Sequence, residues 1–229
     1  MPLPLSAGQL RSDPPANPWI SWRYVRDNAD TILAALREHV ELTVQAVILA
    51  ALVALPLAVL GYWFRPLTGP ILAGTGVLYT IPSLAVFAFI APYLGTGATT
   101  VLIPLVAYAL LTIVRNALTG LVQVPQEVRE AASGMGYGRF GRLLRVELPL
   151  AVPGILTGLR LATLSTVALT TVGALVGHGG LGTLILAGFR NNFYRAQILT
   201  NTVLCVLLAL ALDLVLVGLG RLATPWRRR

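Results

Sequence analysis

The chain contains no lysine: all 17 of its basic residues are arginine. A phosphate-binding loop of the form G-x-x-x-x-G-K-[ST] is therefore excluded, because its lysine reaches the phosphates. If ATP powers any process here, a separate protein binds it. Cysteine occurs once, at Cys205 within an apolar run. No internal disulfide can form, and the residue reads as a small buried apolar group. Charge is scarce as well, at 11% of 229 residues, against about a quarter in soluble domains. His178 stands alone in a glycine loop with no second ligand nearby in sequence, so a metal site is discounted. No Ser/His or paired-Asp constellation falls in an apolar run, and Asp213 is the sole acid there. That argues against a membrane-embedded enzyme.

What remains is apolar. Hydrophobic residues make up 56% of the chain, and mean hydropathy is +0.77. The composition is that of an all-α polytopic membrane protein. About 20 apolar residues cross a bilayer core. Leu42 to Phe64 satisfies this, and the uncharged stretch between Arg65 and Arg115 is long enough for two spans. Gly95 and Gly97 mark the turn between them. The predicted spans are 42–64, 70–92, 100–121, 150–172 and 196–219. A short interfacial helix is predicted at 30–39, and a glycine-rich loop with one short helix precedes the fifth span. Residues 1 to about 26 are Pro-rich, lack the pattern of a signal peptide, and read as a loosely ordered tail. Trp19, Trp22 and Tyr24 in it suit a membrane–water interface. The domain reading is a tail over 1–30, a membrane unit over 31–225 with a polar loop at 124–148, and a basic end at 226–229.

Net charge is +8, but the arginines sit in short loops between apolar runs. They report topology rather than a nucleic-acid face. Arg65, the group Arg129, Arg139, Arg142 and Arg145, and the end Arg221, Arg227, Arg228 and Arg229 fall on one side of five spans. Positive charge places that side in the cytoplasm and the N-terminus outside. An odd number of spans offers no even internal repeat of the kind many secondary transporters show. A pore on a two-fold axis between two subunits would answer that.

The only long polar segment between apolar stretches is Gln126 to Pro149. Pro125 suits a helix start, and Glu127 and Glu130 favour its first turns. Gly134, Gly136, Gly138 and Gly141 then weaken a continuous helix and allow a bend. A second short helix, about 140–146, runs into Leu148-Pro149. The expected shape is helix, bend, helix at a membrane surface.

Glu130-Ala131-Ala132, Gly136, and Val146-Glu147-Leu148-Pro149 keep the spacing of the EAA loop, with Val146 where isoleucine is usual. The segment resembles the coupling loop in membrane subunits of binding-protein-dependent ABC importers. Three further stretches are similar to the glycine betaine/carnitine/choline branch of those permeases. They are Thr80-Ile81-Pro82-Ser83-Leu84-Ala85, Arg115-Asn116 with Thr119-Gly120, and Gly177-His178-Gly179-Gly180-Leu181-Gly182. Methionine-type permeases have similar glycine loops. The resemblance runs from about Glu38 to Pro225 and leaves out the N-terminal tail.

The resemblance implies a type I importer permease fold, without catalytic chemistry of its own, in a prokaryotic plasma (inner) membrane. Its partners would be cytoplasmic ATPase subunits that bind ATP and Mg, a second permease subunit (identical or a paralogue), an extracytoplasmic substrate-binding protein and lipid. Nucleic acid and a cofactor in this chain are not expected. The solute would be a small one such as glycine betaine, choline or carnitine; another, such as an amino acid, is the alternative. The resemblance also implies that Ala131 and Ala132 permit close docking and that Glu130 offers a charged hydrogen bond. Gly136 would permit the bend that sets the second helix, and Leu148-Pro149 would belong to the same ATPase-coupling set. A carrier acting alone, with Asp213 relaying protons, leaves this loop unexplained.

Pro82 falls mid-span and removes a helix hydrogen bond, with Thr80 and Ser83 placed to satisfy freed groups. The bend reads either as lining a path, with Tyr79 beside it, or as a packing kink. Tyr79, Phe87, Phe89, Tyr93 and Tyr108 can attract a quaternary ammonium through their ring faces, or serve as core and lipid-facing groups. Arg115, Arg160 and Asp213 reach similar depths on one side of the membrane. An ionised group there pairs or faces water. Asp213 is therefore expected to pair with Arg160 or Arg115, against the alternative that each arginine snorkels to the headgroups.

Overall fold

The computed structural model describes residues 17–224. The Pro-rich start (1–16) and the basic end (225–229) lie outside the described residues. The helices are α1 Trp22–Asp27, α2 Ala29–Trp63, α3 Arg65–Thr80, α4 Ser83–Leu94, α5 Ala98–Val122, α6 Gln126–Gly134, α7 Arg139–Arg142, α8 Leu148–Val172, α9 Leu181–Arg190 and α10 Arg195–Ala223. A π turn, Leu143–Glu147, joins α7 to α8, and a 3-10 turn, Gly173–Val176, extends α8. Among the described residues there is no strand. α2, α5, α8 and α10 are each long and apolar enough to cross a membrane.

α5 lies at the centre, with α2 along one side and α8 along another. Small residues set the spacing. Ala46, Ala50, Ala54 and Ala58, one per turn of α2, are all buried. Such stripes let helix backbones approach closely in a membrane. A Cβ added to Gly154 of α8 would lie 2.8 Å from the Gly120 Cα of α5, and one on Gly158 would lie 2.8 Å from the Asn116 Cβ. Larger side chains fill the space at one end, where Leu42, Phe87, Val101, Leu105 and Val176 pack together.

Four expectations need correction. The interfacial helix at 30–39 does not end before the first span; it is the first part of α2, 35 residues long. At about 1.5 Å per residue α2 is roughly 52 Å long, more than the ~30 Å hydrocarbon core. The second span is broken rather than kinked: α3 and α4 meet at 86°. Pro82 stands outside both, in extended conformation, as the residue before α4. The second loop helix is not a separate rod. α7 continues through the π turn into α8, giving 38 helical residues from Arg139 to Val176. The widened turn has a cause in Pro149, which lacks an N–H and crowds the carbonyl four residues back in a regular helix. Leu148 donates to the Leu143 carbonyl five residues back.

Finally, the tail is ordered from Asn17. Ser21 caps α1 by accepting from the Tyr24 amide at 3.2 Å. Asn17 donates to the Phe193 carbonyl at 2.8 Å and accepts from the Arg195 amide at 2.9 Å. The Arg195 guanidinium lies 5.2 Å over the Trp19 ring. Trp19 and Trp22 are exposed, as an interface would have them, but Tyr24 is buried. Its hydroxyl accepts from Asn201, and burial raises its pKa despite that bond. The start of the described chain is thus pinned to the α9–α10 corner.

These contacts also fix the number of crossings. Arg129 and Arg139, past the end of α5, touch Tyr62 and Trp63 at the end of α2. Both helices therefore finish on one side. Gly177, past α8, lies against Thr96, before α5, and Gly180 lies against His39 near the start of α2. α3 and α4, about 24 and 18 Å long, must together carry the chain across. The bent pair is one broken span, which makes five.

Candidate functional site

The polar loop forms a hairpin. α6 ends in a glycine cap: Gly136 takes φ +86°, its amide donates to the Ser133 carbonyl at 3.0 Å, and the Tyr137 amide donates to the Ala132 carbonyl at 3.1 Å. This bond pair is the Schellman arrangement, which favours glycine in the left-handed region. Gly134, Gly138 and Gly141 do not take positive φ.

The hairpin's expected docking residues separate. Glu130 and Ala131 are exposed, and Glu130 accepts from Gln126 at 2.7 Å. Ala132 is 1% exposed, so its small size serves packing within the chain and not a partner's approach. Leu148 and Pro149 form the first turn of α8 rather than a break after the hairpin.

A set of polar contacts that the sequence reading did not assign secures the hairpin. Glu147 is fully buried and accepts from Arg142 Nε at 2.8 Å. The pair is five residues apart, the spacing a π turn brings to one face. Arg142 Nη1 also donates to Ser133 Oγ at 2.8 Å, tying α7 to α6. Arg129 Nη1 donates to the Tyr62 hydroxyl at 3.2 Å. Arg139 Nη2 donates to the Trp63 carbonyl at 2.8 Å, with its guanidinium 4.9 Å over the Trp63 ring. A cavity of about 280 Å³ opens among Tyr62, Arg65, Arg129, Arg139 and Arg142. The available signal was the Tyr-Trp-Phe run at the end of α2 beside an arginine-rich loop.

At the break between α3 and α4, Tyr79 is half exposed and meets Tyr108 edge-on, with centroids 5.9 Å apart. The Tyr108 hydroxyl donates to the Ile81 carbonyl. Of Thr80 and Ser83, only Thr80 fills the role expected of it, at one of the last four carbonyls of α3. Thr80 bonds the Val77 carbonyl of its own helix at 2.8 Å, and Ser83 makes no side-chain hydrogen bond among the described residues. The aromatic residues do not converge: Phe87 is in the core, whereas Phe89 and Tyr93 pair on an exposed face of α4.

Of the three charges, two meet. Arg160 Nε and Nη2 donate to the two carboxylate oxygens of Asp213 at 2.7 and 2.9 Å. This two-pronged geometry joins α8 to α10 and is the strong form of the interaction. The Arg115 guanidinium is exposed and makes no ion pair or hydrogen bond among the described residues. The glycine loop serves close packing. Gly180 has φ +51°, and a Cβ there would lie 2.6 Å from the His39 Cβ. His39 is buried and donates from Nε2 to the Val167 carbonyl at 3.1 Å. Among the described residues no three His, Cys, Asp or Glu side chains cluster as metal ligands.

Five crossings, a broken second span and a bent polar hairpin define the membrane subunit of an importer. The sequence profile of the binding-protein-dependent transport system inner membrane component matches residues 46–229, and the chain belongs to that family. It is 36% identical over 206 residues to the glycine betaine/carnitine/choline transport system permease protein OpuCD of Bacillus subtilis, covering 90% of each chain. Identity to the choline transport system permease protein OpuBD of the same organism is 34% over 206 residues, 90% of this chain and 91% of that one. The osmoprotectant import permease protein OsmW of Salmonella typhimurium is 36% identical over 207 residues, 88% of this chain and 96% of that one. In fold the chain matches one from the MetNI methionine ABC transporter, with a TM-score of 0.75 at 23% identity, over 84% of this chain and 96% of that one. The protein is a multi-pass transport permease with the type I importer fold.

Proposed function

We infer that this chain forms the translocation path of an ATP-driven importer for a small compatible solute such as glycine betaine, choline or carnitine. Two copies, or this chain and a paralogue, sit in a prokaryotic plasma membrane. ATPase subunits bind ATP and Mg on the cytoplasmic side, and an external receptor delivers the solute. The single observation that carries the coupling role is the hairpin. It stands at the arginine-rich end of the bundle, with Glu130 and Ala131 exposed and its bend set by Gly136. The positive charge at that end supports a cytoplasmic placement.

Residues 31–225 are the permease unit, and 124–148 the part that the ATPase grips. Tyr79, Thr80, Pro82 and Ser83 mark the break as a gate. Arg160 and Asp213 clamp α8 to α10, with Arg115 the unpaired charge at that level. The test is reconstitution of the chain with its ATPase and receptor in vesicles, measuring uptake of labelled choline, glycine betaine and carnitine. ATP-dependent uptake of at least one is expected. Uptake that proceeds without the ATPase would refute the reading.

A further inference from the structure

We propose that the hairpin drives α2 directly, through the bond between Arg129 and Tyr62, in addition to α5 and α8, to which it is covalently joined. The inference rests on the permease reading above and concerns how that hairpin transmits force. A loop joined only to α5 and α8 would move those two helices. This one is also fastened to the end of a third. Arg129 leaves α6 and donates to the Tyr62 hydroxyl. Tyr62 is partly buried. Arg142 holds Glu147 from α7 and Ser133 from α6, so both arms of the hairpin are locked as they meet α2. The Arg139 contact to Trp63 is a second strut, more exposed and so weaker.

α2 can carry a displacement across the membrane. From Tyr62 back to His39 is about 34 Å of helix, packed on α5 by its alanine stripe. His39 then bonds the Val167 carbonyl in α8 and touches the glycine loop at Gly180. A push on the hairpin thus reaches the far face through a helix that the hairpin does not continue. Tyr62 and Arg129 are positioning residues in this scheme. Neither is required to touch the solute.

The experiment uses the complete importer in vesicles, with wild type, Tyr62→Phe, Arg129→Gln and the double variant. Assembly, basal and solute-stimulated ATP hydrolysis, and solute taken up per ATP are measured. Tyr62→Phe removes one oxygen and preserves the ring. Uptake per ATP is expected to fall about tenfold in each single variant, the factor for one hydrogen bond to a charged group. In Tyr62→Phe, which lies outside the segment the ATPase grips, assembly and basal hydrolysis should hold. The double variant should lose no more than either single one, because both remove the same bond. Unchanged uptake per ATP in Tyr62→Phe overturns the proposal, and so do losses that add. Failure of Tyr62→Phe to assemble overturns it too, since the bond would then serve folding. If Arg129→Gln alone fails to assemble, Tyr62→Phe decides the matter. A wild-type complex without solute-stimulated hydrolysis would instead refute the permease reading.

Discussion

Replacing Gly136 separates two reasons for a glycine in the hairpin. The residue holds φ +86°, and a Cβ built there finds nothing within 4 Å. Within the chain, then, space does not oppose a side chain; only the backbone does. An L-residue in the left-handed region costs about 1–2 kcal/mol, a factor of about 5–30 in the population of the bent hairpin. Alanine should incur that penalty, and leucine should incur the same one. Asparagine, which tolerates this conformation, should incur less. The assay is solute-stimulated ATP hydrolysis by the assembled importer, with membrane insertion as control. Expected activities run wild type, Asn, then Ala and Leu together, with insertion unchanged. Wild-type activity in Gly136→Ala would refute the backbone argument. Activity in Gly136→Leu far below that of Gly136→Ala would mean that the ATPase presses on this position, and that docking rather than bending requires the glycine.

Gly154→Val should destabilise the α5–α8 seam by about 1–3 kcal/mol, because its Cβ would meet the Gly120 Cα at 2.8 Å. Thermal unfolding in detergent should show a lower Tm. Gly218→Ala in α10, with nothing near its Cβ, should raise stability by about 0.5–1 kcal/mol. Asp213→Asn and Arg160→Gln should each reduce uptake, and the exchanged pair should recover part of it; failure of the exchange to recover either defect would separate the two residues. Tyr108→Phe leaves the Ile81 carbonyl without its hydroxyl partner. It should change uptake while leaving ATPase assembly intact, and unaltered uptake would remove Tyr108 from the gate.

Helix content, crossing number and hairpin were legible because each rests on a local or additive signal: apolar length, glycine spacing and charge. That Asp213 would pair followed from depth alone, since opposite charges at one level in a membrane have few other partners, but depth left Arg160 and Arg115 both open, and packing of α8 on α10 selects Arg160. What failed was what depends on neighbours. Pro82 marks disruption but does not fix its size; the bend is 86°, and Tyr108, from another helix, takes up the Ile81 carbonyl at it. Ala132 looked like a docking residue because small size has the same signature whether the neighbour is a partner protein or the chain itself. The hairpin's arginines were read as topology markers, their average property. Their particular targets, Tyr62 and the Trp63 carbonyl, lie about 70 residues earlier and leave no periodic trace.

The positions of the hairpin and the break restrict how one can act on the other. Tyr108, which holds the break, lies fourteen residues before the end of α5, about 21 Å from the hairpin. No side chain spans that distance, so the connection has to be a rigid body. The close seams supply one: the alanine stripe joins α2 to α5, and Gly120, Gly154 and Gly158 join α5 to α8. Interiors packed this tightly deform little and pass displacement on. α3 and α4 are different. Val77, Leu84 and Phe89 remain exposed along them, and their link to the block includes the Tyr108 hook at Ile81. On the coupling proposed above, a block driven at one end by the hairpin would shift against the bent pair where Pro82 has already interrupted the helix. The break would yield first because its backbone has no helical ladder to lose.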